Sequence, residues 1–137
     1  EEDIVNESET HTDPAMVEDF VTTTGCDLLA VAVGNVHGLD LEPRVDLDLL
    51  KTIADISPVP LVLHGGSGIP FDVIQKARKC GLLKINYGSD LRKEFIRTFG
   101  EAYECTAHKA HDVISLSMKA VENVSAKASE LVRIINA

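Results

Sequence analysis

Two histidines stand 27 residues apart, each just past an apolar run and each followed by glycine: Gly34-Asn-Val-His37-Gly38 and Leu61-Val-Leu-His64-Gly-Gly-Ser-Gly-Ile-Pro70. Neutral imidazoles suit Zn²⁺, and a catalytic zinc site takes about three protein ligands plus an open position. The same side chains serve equally well in acid–base chemistry or as ordinary packing and hydrogen-bonding groups, and the pair alone leaves these readings open. The residues after His64 add a second chemistry. Gly65, Gly66 and Gly68 allow the backbone to approach a ligand closely and to turn its N–H groups towards an anion, with Ser67 among them. Pro70 predicts the first position of a helix, whose N-terminus favours negative charge. The stretch therefore proposes a metal ligand or acid–base group beside a phosphate cradle, against the alternative of a glycine turn with an incidental histidine. Asn86-Tyr87-Gly88-Ser89 forms a second loop of the same kind.

The elements that must carry these residues alternate. Glu1 to His11 is polar and acidic and reads as a loop. It opens without a Met or a helix cap, as the later part of a longer protein would. Thr12-Asp13-Pro14 starts a helix through Met16, Val17, Phe20 and Val21, which Gly25 ends. Asp27 to Val33 is a continuous apolar run, as in a parallel strand covered on both faces. Val45 to Ile56 is helical, Leu61 to Leu63 is the strand before His64, and Pro70 to Cys80 is the next helix, stopped by Gly81. Leu82 to Asn86 is a third strand. Ser89 or Asp90 can cap the helix through Leu91, Phe95, Ile96 and Phe99. After Gly100 a last helical region runs from about His108 to Ile135, with Val113, Ile114, Leu116, Met118, Val121 and Leu131 as its apolar positions.

Strand–helix alternation predicts an α/β fold with a parallel sheet and right-handed crossovers. Three strands alone make a poor sheet. They fit the closing part of a (β/α)8, or TIM, barrel, in which phosphate often sits on the loops after the last two strands. In that arrangement His37 and His64 end consecutive strands and reach the same end of the sheet. His11 sits in a polar loop, and His108 and His111 read as part of a solvated helical face. Glu2 is a candidate general base.

Bulk composition limits the partners. The 137 residues, 45% hydrophobic and 26% charged, suit one segment with a real core. A formal net charge of -9 argues against nucleic-acid and acidic-membrane surfaces, and aromatics at 4% offer no stacking platform for bases. Helix N-termini and a metal can still hold a phosphorylated small molecule. No apolar run is long enough to span a bilayer. Cys26, Cys80 and Cys105 are odd in number and widely spaced, which favours free thiols in a reducing cytosol.

Together, Gly34-Asn-Val-His-Gly38, Leu61-Val-Leu-His-Gly-Gly-Ser-Gly-Ile-Pro70 and Lys84-Ile-Asn-Tyr-Gly-Ser-Asp-Leu-Arg92 resemble the class II, metal-dependent fructose-bisphosphate aldolases and their tagatose-bisphosphate relatives. Thr24-Gly-Cys-Asp-Leu-Leu-Ala30 and Glu2-Asp3 match the pattern in order, so the resemblance runs along essentially the whole of 1–137 as the C-terminal half of such a protein. It implies a TIM barrel and a Zn²⁺ cofactor held in part by His37 and His64. It implies a dihydroxyacetone phosphate site at Gly38, Gly65, Gly66, Ser67, Asn86, Tyr87, Gly88 and Ser89. Glu2 matches a glutamate implicated in proton transfer. The implied reaction is reversible aldol cleavage of a ketose 1,6-bisphosphate to dihydroxyacetone phosphate and glyceraldehyde 3-phosphate, in a cytoplasmic homo-oligomer of carbohydrate metabolism. Zinc would polarise the ketone while backbone amides fix the phosphate. The family's third zinc histidine and its neighbouring aspartate precede the matched region. Gly88 and Ser89 stand where members often carry Asp or Ala and then Thr, which leaves substrate choice open. A half-barrel that binds phosphate or serves as an assembly surface without catalysis is the competing reading.

Overall fold

Three short strands of apolar residues set the frame. The computed structural model describes residues 11–34, 44–105 and 112–136. β1 (Leu29–Val31), β2 (Leu61–Leu63) and β3 (Leu82–Ile85) pair in parallel in the order β1-β2-β3. Leu29 faces Leu61 and Val31 faces Leu63, while Leu63 faces Ile85 across the other ladder. All three residues of β2 are buried. Successive side chains point to opposite faces, so both faces of the central strand are covered.

β1 is shorter than the run from Asp27 to Val33 suggests, and it is buried only at alternate positions, with Ala30 exposed. Its far end is taken over by other partners. Thr12 N–H donates to the Ala32 carbonyl at 2.7 Å, Ala32 N–H donates to Thr12 Oγ1 at 2.9 Å, and Asp46 N–H donates to the Val33 carbonyl at 2.8 Å. His11 forms an isolated antiparallel bridge with Val33.

The helices of this part are α1 (Val17–Thr24), α2 (Leu47–Ile56) and α3 (Phe71–Lys79). Asp13 accepts from Ala15 N–H and opens a short 3-10 turn, Pro14–Met16, ahead of α1, and Gly25 closes α1 at φ 64°. The Asp46 carboxylate accepts from the N–H groups of Asp48 and Leu49, so α2 begins at Leu47 and not at Val45. Pro70 stands one place earlier than expected. It is the extended residue before α3, with ψ 141°, and its carbonyl accepts from Val73 and Ile74. A missing N–H costs nothing there either. The core joins Val17 and Val21 of α1, Leu50 and Ile53 of α2, and Ile74 and Ala77 of α3 to Leu29, Val31, Leu61, Leu63 and Leu82 of the sheet.

The chain divides into two compact units, Glu1–Tyr87 and Gly88–Ala137. The second consists of α4 (Ser89–Cys105) packed on α5 (Val113–Asn136). α4 continues through Gly100 to Cys105, past Phe99, the last apolar position read for this helix. A glycine within a helix costs about 1 kcal/mol but does not end it unless the backbone turns left-handed. The seam holds buried Thr98, Ala120 and Leu131, and Asn123 Nδ2 donates to Thr98 Oγ1 at 3.0 Å. Asp112 caps α5 by accepting from Ile114 N–H and the Ser115 hydroxyl, contacts that hold its carboxyl below the usual range. No helix among the described residues is long and apolar enough to cross a membrane.

Four of the apolar positions of the last helix, Val113, Ile114, Met118 and Val121, are exposed, Ile114 by 73%. Ile96 of α4 is 68% exposed. The α4–α5 seam is narrow and leaves these side chains outside it. An apolar surface of this kind drives association in water. The isolated 137-residue chain is therefore expected to self-associate in sedimentation experiments, and a monodisperse monomer that unfolds cooperatively would contradict this.

Candidate functional site

His64 emerges exposed from the end of buried β2, on a rigid base. The chain then reverses around Asn86, which directly follows β3. Asn86 N–H donates to the Leu63 carbonyl at 2.9 Å, and the Asn86 carbonyl accepts from Gly66 N–H at 2.9 Å. These two bonds carry the β2–β3 pairing past the end of the ladder and bracket His64 between them. The Asn86 side chain completes the arrangement, with Nδ2 3.2 Å from His64 Nδ1.

Glycine is required at two places in this loop for different reasons. Gly65 takes φ 65°, a left-handed turn that other residues adopt at a cost. Gly66 is buried, and a Cβ there would lie 2.6 Å from Ile85 Cγ1 and 3.1 Å from the Asn86 carbonyl oxygen. Its small size is what lets the two loops meet. Ser67 and Gly68 continue the turn to Ile69, which is buried in the core. Tyr87 packs against that core.

Gly88 and Ser89 open the second unit. α4 begins at Ser89 itself, so neither Ser89 nor Asp90 precedes the helix as its cap. The Gly88 carbonyl accepts from Arg92 N–H at 3.0 Å, and Ser89 Oγ accepts from Arg92 Nη2 at 3.3 Å.

The structure thus brings together His64, Gly65, Gly66, Ser67 and Asn86. Glu2, His37, Gly38, His108 and His111 lie outside the described residues. The described chain leaves β1 at Gly34, and because β1 and β2 are parallel this is the same end of the sheet at which His64 stands. Among the described residues no three His, Cys, Asp or Glu side chains converge as a metal site.

One residue at this end escaped the sequence reading. His11 stands at the end of β1, bridged to Val33, with Nε2 3.5 Å from where a Gly34 Cβ would sit. A non-periodic polar segment that pairs with a strand end carries no pattern that would reveal it. Lys76 beside Asp72 and Arg97 beside Glu94 hold those carboxyls below the usual range, on helix surfaces.

A family model described as fructose-bisphosphate aldolase class-II matches residues 1–137. The chain belongs to the class II fructose-bisphosphate aldolase family. It is 40% identical over 102 residues to the fructose-bisphosphate aldolase of Geobacillus stearothermophilus, a match that covers 74% of this chain and 36% of that protein. The solved structure of the YdjI aldolase from Escherichia coli K12 superposes with a TM-score of 0.73 at 32% identity, over 90% of this chain and 44% of that one. A Coccidioides immitis structure superposes with a TM-score of 0.79 at 26% identity, over 92% and 43%. The chain therefore spans less than half the length of these relatives, and its parallel strands and helices form part of the (β/α)8 barrel of the class II aldolases.

In this chain the close approach at Gly66 should tolerate no side chain. Gly66→Ala adds a methyl group against Ile85 and the Asn86 carbonyl, and overpacking of this kind costs about 1–3 kcal/mol. Urea unfolding of the intact protein should show the loss, with amide chemical-shift changes concentrated around His64 and Asn86.

Proposed function

We propose that this chain contributes the phosphate loops and two zinc-binding histidines of a ketose 1,6-bisphosphate aldolase, which cleaves its substrate reversibly to dihydroxyacetone phosphate and glyceraldehyde 3-phosphate. The observation that carries the reading is the exposed His64, held by Asn86 and followed by a glycine loop, in a chain of the class II aldolase family. An exposed neutral imidazole at the end of a buried strand is a suitable metal ligand. His64 and His37 would hold Zn²⁺, with the remaining ligand coming from outside this chain. Bound zinc supplies a Lewis acid at the ketone oxygen.

The other residues bind and orient. Gly38, Gly65, Gly66 and Ser67, with Asn86, Tyr87, Gly88 and Ser89, form the phosphate-binding set. Phosphate held there fixes the carbons near it, so the bond to be broken is presented in one geometry. Glu2 moves the proton at the carbon alpha to the carbonyl. Activity on this reading belongs to the intact protein, a cytoplasmic homo-oligomer of carbohydrate metabolism and glycolysis, because the chain spans 36% of the Geobacillus relative.

The test compares three variants of the intact protein by zinc content and by cleavage rate on fructose and tagatose 1,6-bisphosphates. His37→Ala and His64→Ala should each lose most of the activity and bind zinc less tightly, by roughly ten- to a hundredfold or more. His108→Ala should retain both. Stoichiometric zinc with near-normal turnover in the first two variants would refute the reading, and turnover on neither sugar by the unaltered protein would favour a non-catalytic phosphate-binding barrel.

A further inference from the structure

α5 carries a second apolar row besides the one that packs on α4. Ala120 and Leu131 lie buried in the α4–α5 seam. Ile114, Met118, Val121, Ser125, Ala128 and Val132 form another row, with successive steps of 4, 3, 4, 3 and 4 residues. At about 100° per residue, this row stands roughly a third of a turn round from the seam. Its four large side chains, Ile114, Met118, Val121 and Val132, are each more than half exposed.

The spacing is that of a heptad. A helix that packs on a sheet or a globular core presents a broad apolar face, whereas a narrow row in alternating steps of four and three is the seam that another helix reads. The row runs unbroken for about 27 Å of helix axis. It also lacks charge. None of its six residues is ionisable, and of the positions along its two borders between Ser115 and Leu131 only Glu122 is charged, with Lys119 Nζ of the same helix 3.2 Å from Glu122 Oε2. In a chain of formal net charge -9, such a row is where two copies can meet without opposing like charges.

Copies related by a twofold axis meet through the same patch, so the patch must complement itself. The α5 row does. Ser125 and Ala128, near the middle of the helix, let two axes approach closely where they cross, and the larger Ile114, Met118 and Val132 fill the space where the axes diverge. We propose that this row is the surface through which two copies of the protein associate, α5 on α5 about a twofold axis. The inference names the surface behind the homo-oligomer of the function proposed above and rests on that part of the reading alone, not on the aldolase chemistry.

Met118→Glu places a charge in the row, and Ala126→Glu places the same charge on an exposed position that faces away from both rows. Sedimentation velocity of the intact protein should give an even number of copies for the unaltered protein and for Ala126→Glu, and half that number for Met118→Glu, with helix content by circular dichroism unchanged. A photoreactive benzophenone side chain at position 121 tests the contact without a charge, and so covers a Met118→Glu protein that does not fold. Irradiation should produce a covalent dimer whose cross-linked peptides join α5 of one copy to α5 of another. A monomeric unaltered protein would overturn the proposal and the homo-oligomer together. A folded Met118→Glu protein with its copy number intact, or cross-links from position 121 that stay within one copy or reach a different element of the second, would overturn the surface and leave the homo-oligomer standing.

Discussion

The pair of backbone hydrogen bonds from Asn86 to Leu63 and from Gly66 to Asn86 is the constraint on which the site depends. It fastens the loop after β2 to the residue after β3, so the backbone on either side of the exposed His64 is held. Two features make the constraint possible. β2 is buried throughout and gives the loop a fixed origin, and Gly66 has no Cβ to hold Ile85 and Asn86 away. A single intramolecular hydrogen bond contributes only about 1 kcal/mol net, so the value of these bonds lies more in placement than in stability.

The same reasoning accounts for what the described residues leave uncovered. Ala30 of β1 and Leu83 of β3 are exposed, as are the outer apolar positions of α4 and α5. In relatives more than twice as long, β1–β3 correspond to part of a (β/α)8 barrel, and a barrel has no free sheet edge. Exposed apolar side chains in this chain are thus compatible with the fold of the family, whose remaining barrel elements come from residues beyond those matched here.

Much of the local structure was legible because it rests on short-range chemistry. Asp13 before Pro14, Gly25 after α1, and the Gly65–Gly68 run all act through their own backbone or their nearest neighbours, and each does what its type predicts. Boundaries that depend on one capping contact moved by a residue or two. Asp46 claims the cap of α2 from Val45, and Pro70 stands outside α3 because its carbonyl, not its ring, opens the helix.

By itself the sequence determined the order of elements, the parallel sheet, the family, and the glycine-rich turn after β2, because hydrophobic period, turn residues and motif spacing are properties of the chain in one dimension. Tertiary structure alone decided which of those residues touch. The 3.2 Å contact between Asn86 and His64 spans 22 positions, and the bridge from His11 to Val33 a similar distance. Neither has a local signature, because the first exists only where parallel strands bring their ends to one side of the sheet and the second only where the chain ahead of α1 folds back antiparallel on the end of β1. The exposure of Val113 and Ile114 was equally beyond the sequence, for an apolar face says that something should cover it but not whether this chain carries the cover.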